Sequence, residues 1–266
     1  MSSRRFLPLL SLTPLPLYLL SPHSNCQSSP PSPSFPSILK TIRSTSTETR
    51  LRWIRDEDHW RKLPSRAWPS HQPSHDQEEK LREVYEEKCG DGRDDKKECV
   101  DVTFRLATCL VFNNLDAVEG LKLYEENFEN ERHADSAVAA GIVLVEGFHR
   151  ADGSPFSDAD VKLGSEYISA AAAMNNTQGK FELGCLYYTG AAEPHVKESS
   201  SEAFKLFEET AAEGHTSGQF MCGDLLMEGD GCEVDKGRAL SLMYEAAEKG
   251  HRFARQRVIE VLDDNK

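Results

Sequence analysis

GKFELGCLYYTG at residues 179–190 and GQFMCGDLLMEG at residues 218–229 align without a gap, and this repetition decides the fold of the chain. SAVAAGIVLVEG at residues 136–147 fits the same frame. Successive copies begin 43 and 39 residues apart. Similarity at a period of about 20–50 residues is the signature of a repeat architecture, in which each unit buries its apolar face against its neighbours.

A second repeated segment follows each copy of the first. AFKLFEETAAEGH at residues 203–215 and ALSLMYEAAEKGH at residues 239–251 align without a gap, and GSEYISAAAAMNN at residues 164–176 matches them. The variation in spacing is confined to the connections between segments. Each unit is therefore predicted to be a pair of helices joined by a loop of variable length.

The first helix of each unit contains a glycine inside its apolar pattern. Leu183, Leu186 and Tyr187 lie at helical spacing around Gly184. Glycine in a helix interior lowers helix stability, so we expect it where a neighbouring helix approaches closely. The glycines at the equivalent position of the other two units are Gly141 and Gly223.

The predicted ends of the helices also repeat. Gly190 and Gly229 stand where the first helix should stop, and Gly214 and Gly250 where the second should stop. Asn175 takes the place of glycine in the earliest of the three units. Asn is the usual substitute for Gly in a left-handed C-terminal cap, so all five residues are predicted to take that conformation.

The small, aromatic and glycine positions together resemble the Sel1-like repeat, a relative of the tetratricopeptide repeat. The resemblance covers residues 134–263 and implies an all-α fold, an α/α superhelix (solenoid) of Sel1-like, TPR-related helix pairs. Residues 76–133 are predicted to form a degenerate leading repeat. Its predicted helices, and the final helix that we expect to cap the stack, are LREVYEEKC (81–89), CVDVTFRLATCLVF (99–112), AVEGLKLYEENF (117–128) and RFARQRVIEVLDD (252–264).

Two cysteines flank a polar turn between the leading helices. Cys89 ends one predicted helix and Cys99 begins the next, with GDGRDDKKE at residues 90–98 between them. A turn of this kind brings the two helix ends together, as a disulfide requires. We expect a Cys89–Cys99 bridge, and two free thiols beside a loop are the alternative.

The remaining five cysteines form no zinc-binding pattern. Cys222 and Cys232 have the same ten-residue spacing, and they are a weaker disulfide candidate because a bridge requires the loop to fold back onto the helix. Cys109 and Cys185 are predicted to be ordinary helix residues, and Cys26 lies in the N-terminal leader.

Sel1-like repeats behind a helix–Cys–turn–Cys–helix unit resemble a family that includes cytochrome c oxidase assembly factor 7 and the cysteine-rich bacterial Hcp β-lactamase-like proteins. The resemblance covers roughly residues 80–263 and includes NERHADSAVAAG at 130–141. It implies the mitochondrial intermembrane space and support of respiratory-chain assembly. The family typically places a cysteine at the end of each second helix and another early in the next first helix. Here the comparable places hold Phe128, Ala137, Lys180 and Gln219.

Residues 1–75 differ in composition from the rest of the chain. They hold eleven of the 13 prolines, and a segment so rich in Pro and Ser cannot easily bury apolar surface. We therefore expect residues 1–75 to be a disordered leader and residues 76–266 to be the solenoid. The Arg- and Ser-rich stretch up to Arg55 resembles a mitochondrial presequence, whereas the apolar run Phe6–Leu20 favours a secretory signal. A third alternative is that the leader is an artefact of where the coding sequence was taken to begin.

The charge of the chain is unevenly distributed. Residues 1–55 hold seven basic residues and one acid, which gives them a net charge of +6. Because the whole chain has a net charge of −13, the remainder carries −19. A strongly acidic folded part argues against nucleic acid and against anionic membrane surfaces as partners. The apolar run of the leader is too short to span a bilayer, so no integral membrane segment is expected.

Three motifs with catalytic or ligand potential have simpler explanations, which are chance for the first and a structural role for the other two. Ser37–Lys40 matches the Ser-x-x-Lys of penicillin-recognising enzymes but lies in the leader without the partner motifs. His215 and His251 follow capping glycines and are predicted to be turn residues. Glu208, Glu209 and Glu213 are predicted to form a solvated helix face.

The sequence therefore predicts a non-enzymatic adaptor, without cofactor or metal, that binds proteins through the concave surface of the solenoid. Respiratory-chain assembly factors are the expected partners, in the mitochondrial intermembrane space. Two alternatives stay open. One is a thiol oxidoreductase or β-lactamase-like hydrolase, and the other is an adaptor of the endoplasmic reticulum or secretory route.

Overall fold

The computed structural model describes residues 75–90, 96–112, 116–146 and 160–263. These residues form ten α-helices, and no β-strand occurs among them. The helices are α1 (His75–Cys89), α2 (Lys96–Phe112), α3 (Ala117–Glu131), α4 (Ala134–Glu146), α5 (Val161–Ala173), α6 (Thr177–Thr189), α7 (Ser200–Ala212), α8 (Thr216–Glu228), α9 (Lys236–Glu248) and α10 (Arg252–Asp263).

The helices pack in the order of the chain. Every helix from α1 to α10 makes its extensive contacts with the helix before it and the helix after it, and α4 also contacts α6. Contacts limited to neighbours are the property of a solenoid, so the predicted all-α solenoid of helix pairs is confirmed for the described residues. The pairs are α2–α3, α4–α5, α6–α7 and α8–α9, and each consists of a first and a second helix.

The core is a series of overlapping apolar clusters. One cluster joins α2, α3 and α4, the next joins α3 to α6, and the last joins α6 to α10. Phe128, Ile168 and Phe207 are among the side chains that fill them. Because each cluster shares a helix with the next, the apolar interior is continuous along the stack.

Side chains that cap the helices explain where several of them begin. Asp116, Ser199 and Asp235 each accept a hydrogen bond from the backbone N–H three residues later, at the start of α3, α7 and α9. Such caps satisfy a donor that has no partner within the helix. The loops before these helices therefore end at residues whose side chains define the next helix.

The predicted boundaries need small corrections. Helix α1 begins at His75 rather than at Leu81, and α3 runs to Glu131 rather than to Phe128. The predicted leader, including Phe6–Leu20, Cys26 and Ser37–Lys40, lies outside the described residues except for its last residue, His75, which instead begins α1; residues 264–266 also lie outside them.

Candidate protein-binding repeats

The glycines inside the first helices lie where the paired second helix approaches most closely. A Cβ at Gly184 would lie 2.8 Å from the ring of Phe207, and one at Gly223 would lie 2.9 Å from the carbonyl oxygen of Ala239. A Cβ at Gly141 would lie 2.6 Å from a side-chain carbon of α5. No side chain fits at these distances, so each glycine permits the close packing expected from the sequence.

The helix ends take the left-handed conformation expected for their residues. Gly190 and Gly229 have φ of 63° and 73° and end α6 and α8, where their N–H groups donate to the last turn. Gly214 and Gly250 have φ of 82° and 92° after α7 and α9. Asn175 has φ of 60° at the equivalent point after α5. This conformation is open to Gly and, among side chains, most readily to Asn.

His215 caps the first helix of the last complete pair. Its Nδ1 accepts a hydrogen bond from the N–H of Gly218 at 3.1 Å, and its ring lies 4.7 Å from that of Phe181, centroid to centroid. A histidine held in this way has a structural role, as expected from its place after a capping glycine. The ring also joins one repeat to the next, because Phe181 lies in α6 and His215 begins α8.

His251 repeats this arrangement one unit later. Its Nδ1 accepts from the N–H of Ala254 at 3.1 Å, and its ring stacks on Phe220 at 4.6 Å. At the start of α6 the same position holds Asn176, whose side chain accepts from a backbone N–H at 2.8 Å. Val138 occupies the place in α4 that phenylalanine occupies in α6 and α8. A side-chain cap is thus present at the start of α6, α8 and α10. The ring contact occurs only at the last two, where a histidine meets a phenylalanine of the preceding unit. This pairing of histidine and phenylalanine rings was not predicted from the sequence.

Polar contacts connect the first helix to the second in the last two pairs. In α6–α7, Lys180 Nζ lies 2.7 Å from Glu213 and 3.2 Å from Glu209. The hydrogen bond between Lys180 and Glu213 raises the pKa of Lys180 and lowers the pKa of Glu213. Glu208 pairs with Arg238 of α9 at 2.6 Å. The three glutamates therefore lie on a solvent-exposed face, as expected, and they also make ion pairs there.

In the pair α8–α9, the positions equivalent to Lys180 and Glu213 hold Gln219 and Lys249. Gln219 donates to Glu245 at 2.7 Å and accepts from Lys249 at 2.9 Å. Lys249 also donates to the carbonyl oxygen of Gly214 at 3.0 Å. Lys180 and Gln219 are two of the positions at which the family resemblance would place a cysteine. Hydrogen-bonded polar side chains occupy these positions instead.

A disulfide joins α1 to α2. Cys89 and Cys99 are bonded, and their Cα atoms are 5.1 Å apart. Beside the bridge, Lys88 Nζ lies 2.7 Å from a carboxylate oxygen of Glu98. The structure therefore contains the bridge expected from the helix–Cys–turn–Cys–helix pattern.

The second proposed bridge, between Cys222 and Cys232, is wrong. Neither residue is in a disulfide. Cys222 is buried in the middle of α8, and Cys232 donates from its Sγ to the carbonyl oxygen of Leu225 at 3.5 Å. Burial raises the pKa of Cys222 to about 12 and also raises that of Cys232. A catalytic thiol needs a lowered pKa. The surroundings of Cys222 and Cys232 raise the pKa instead, so they do not favour a reactive thiolate.

A buried ion pair between α8 and α10 was not predicted. Asp224 is 3% exposed, and its Oδ1 lies 3.6 Å from Nε of Arg257. Arg257 also contacts Glu228 at 2.6 Å. Burial raises the pKa of Asp224 to about 7, because the attraction of Arg257 only partly offsets the loss of solvation. The sequence signal was an acid inside the apolar stretch 218–229, at the position that Cys185 holds in α6.

Within the described residues no cluster of three metal-ligating side chains occurs. In the same part of the chain, no helix is long and apolar enough to cross a membrane.

These helix pairs define the class of protein, an α/α repeat solenoid. The model of the Sel1 repeat matches residues 177–215 and 216–251, which are the pairs α6–α7 and α8–α9 with their caps. Sel1-repeat proteins are generally protein-binding adaptors. The two matched units support the Sel1 repeat family, and the remaining helices extend the same architecture.

Two solved structures are similar to the chain. A Sel1 repeat protein from Oxalobacter formigenes has 26% identity and a TM-score of 0.43, with 50% of this chain and 94% of that chain covered. A protective antigen of uropathogenic Escherichia coli strains, which displays an SLR fold, has 22% identity and a TM-score of 0.52. That match covers 66% of this chain and 34% of the antigen, and it supports the fold. No curated protein matches the chain.

Proposed function

We propose that this chain is a non-enzymatic protein-binding adaptor that supports respiratory-chain assembly, chiefly of cytochrome c oxidase, in the mitochondrial intermembrane space. The observation that carries the adaptor role is the stack of helix pairs, two of which match the Sel1 repeat. Stacked pairs create an extended surface that can hold a segment of another protein. The chemistry of the surface is supplied by side chains that vary between repeats.

The compartment is proposed from the leader and from the disulfide. The Cys89–Cys99 bridge fits an oxidising compartment, because thiols stay reduced in the cytosol and nucleus. The first 55 residues are basic and almost free of acids, which fits import into mitochondria. The resemblance to the family that includes cytochrome c oxidase assembly factor 7 supports the same compartment and the same process.

The expected partner is a protein rather than a nucleic acid or an anionic membrane surface. The chain beyond residue 55 carries a net charge of −19, which repels phosphate groups. A partner segment with basic side chains would complement this charge, as subunits and assembly factors of the respiratory chain can provide.

The test is proximity labelling with the full-length protein, tagged at its C-terminus and expressed from its own locus. We expect the labelled neighbours to be intermembrane-space proteins, with assembly factors of cytochrome c oxidase enriched among them. Cytochrome c oxidase activity should fall when the chain is depleted and recover when it is restored.

Two variants test whether the enriched neighbours depend on the intact repeats or only on the presence of the protein in the compartment. Gly184→Leu should disturb the packing of α6 on α7 and lose the enriched neighbours, whereas Gly237→Ala, at an open position of α9, should keep them. Expression of the two variants would be matched. Neighbours from the endoplasmic reticulum would support the secretory alternative, and neighbours from the matrix would contradict both compartments.

A further inference from the structure

The ten described helices begin and end with half a repeat. Helix α1 precedes the first complete pair and packs against α2 as α7 packs against α8, so it corresponds to a second helix, and no first helix precedes it within residues 75–263 as described. Helix α10 follows the last complete pair and packs against α9 as α8 packs against α7. It is therefore a first helix, and no second helix accompanies it among the described residues.

The register of α10 is fixed by its cap. His251 accepts from the N–H of Ala254 just as His215 accepts from the N–H of Gly218, each at 3.1 Å. The two caps are 36 residues apart. Positions in α10 can therefore be compared with positions in α8 by this offset.

The offset places two apolar residues where a second helix would lie. Ile259 corresponds to Gly223, which faces the Ala239 carbonyl oxygen of α9 at the closest point of the α8–α9 pair. Leu262 corresponds to Leu226, which is 3% exposed. In α10 the same two positions are 54% and 56% exposed, so no second helix among the described residues covers them as α9 covers α8.

Helix α10 is nevertheless firmly attached to the stack. Arg257 reaches Glu228 of α8 at 2.6 Å and is itself almost fully buried. Ala254 is also fully buried. The exposed apolar face is thus held in place by the opposite face of the same helix.

The exposed face of α1 is complementary in charge. It presents Glu79, Glu83, Glu86 and Glu87 around Val84, which is 36% exposed. One cation, Lys80, is exposed among them. On α10 the exposed charged side chains before Ile259 are Arg252 and Arg255.

We propose that copies of this chain associate head to tail, with the exposed face of α10 in one copy packing against the exposed face of α1 in the next. The first helix from one copy and the second helix from the other then form a complete pair. Ile259 replaces the glycine of the complete pairs, so the two helices cross at a wider separation. Such a contact joins two different surfaces and forms an open series rather than a closed two-fold dimer.

Sedimentation velocity of the full chain at increasing concentration, in low and high salt, tests the proposal. We expect the average mass to rise through dimer and trimer, and to fall with added salt because the charges are exposed. Leu262→Asp should weaken association about tenfold or more, the effect expected for an apolar anchor at the centre of an interface. Lys236→Glu, at an exposed position of α9, is the matched control and should associate like the parent.

A charge exchange makes the test independent of any folding defect. Arg255→Glu should weaken association, and adding Glu83→Arg should restore it, because the pair is then attractive with its signs reversed. Melting curves would show that each variant is folded. A single-chain mass at every concentration overturns the proposal. Association that is unchanged in Leu262→Asp and in Arg255→Glu also overturns it, since another surface is then responsible.

Discussion

Helices α1 and α8 are held in the same stack by different means. In α8, ten consecutive residues from Ser217 to Leu226 are buried, and a glycine lets α9 approach. In α1, none of the side chains described is fully buried, and a disulfide and ion pairs add to the packing of the partly buried Leu81 and Tyr85. One of these joins Arg82 to Glu119 of α3 through two contacts, at 2.6 and 2.8 Å. A repeat in the interior of a solenoid is stabilised by packing on both sides, whereas the edge helix α1 packs on one side and is also held by covalent and ionic contacts.

The largest effect is expected from filling the close contact between α8 and α9. Gly223→Leu should destabilise the protein by about 2–3 kcal/mol or more, because overpacking of a core contact forces side chains and backbone apart. The neighbouring atom is a backbone carbonyl oxygen, which cannot rotate away. Urea unfolding of the variant and the parent would measure the difference in the free energy of unfolding.

The control for this prediction is Gly237→Ala in α9. A Cβ there meets no atom closer than 3.6 Å, and alanine favours the helix by roughly 0.5–1 kcal/mol. Gly223→Leu should therefore lower the free energy of unfolding, whereas Gly237→Ala should raise it. A change within about 0.5 kcal/mol for Gly223→Leu, the range of surface substitutions, would mean that α8 and α9 do not approach closely.

Breaking the disulfide should affect the edge of the stack. Cys89→Ser opens a loop of about ten residues, for which the chain-entropy relation gives roughly 3 kcal/mol or slightly less. Because contacts run between neighbours, we expect the loss mainly in α1 and α2. Hydrogen exchange with mass spectrometry would locate it. Cys232→Ser, at a thiol outside any disulfide, should cost less than about 1 kcal/mol. Equal loss of protection in α1 and α9 would contradict the account.

A pH-dependent effect is expected at the buried pair of α8 and α10. The pKa of Asp224 is raised to about 7 in the fold, above its ordinary value, so its contribution to stability is present at low pH and is lost as pH rises toward 7. Asp224→Asn removes this loss. At pH 8 the variant should be more stable than the parent by more than about 1 kcal/mol, since each unit by which the pKa is raised corresponds to ~1.4 kcal/mol.

The measurement is the difference in melting temperature between variant and parent from pH 4 to pH 8. The gain should be absent near pH 4 and should grow toward pH 8. Glu233→Gln, at an exposed position, serves as the control and should show no such trend. If Asp224→Asn is instead destabilised most at pH 8, the attraction of Arg257 exceeds the cost of burying the carboxylate.

The smallest effect is expected at the histidine cap of α8. His215→Ala removes the acceptor for the N–H of Gly218, and loss of a cap typically costs about 1 kcal/mol. His215→Asn loses the same ring contact but keeps a capping side chain, as Asn176 does at the start of α6. The asparagine variant should be the more stable of the two by up to about 1 kcal/mol in urea unfolding. Equal stability would mean that the ring contact alone matters.

The features that the sequence predicted are those with a local chemical signature. Gly184 and Asn175 were recognised because close packing and a positive φ restrict the choice of residue at one position. Cys89 and Cys99 were recognised because a short polar turn joins two helix ends. Each of these inferences depends on residues near one another in the chain.

The features that were missed or wrong depend on how neighbouring repeats superpose. Cys222 and Cys232 have the spacing of the real bridge, but Cys222 lies in the middle of a helix rather than at its end. Asp224 and Arg257 meet only because α10 packs on α8 across a full repeat. Such contacts require the geometry of the stack, which a spacing between residues does not contain.

The architecture in which each repeat is stabilised by its neighbours can be tested most directly by hydrogen exchange with mass spectrometry on Gly223→Leu. We predict that protection falls in α8 and α9 and in the adjoining α7 and α10, while α2 and α3 keep the protection they have in the parent. Uniform loss of protection from α2 to α10 would contradict the account, because the described helices would then unfold as one cooperative unit rather than as an array of neighbouring pairs.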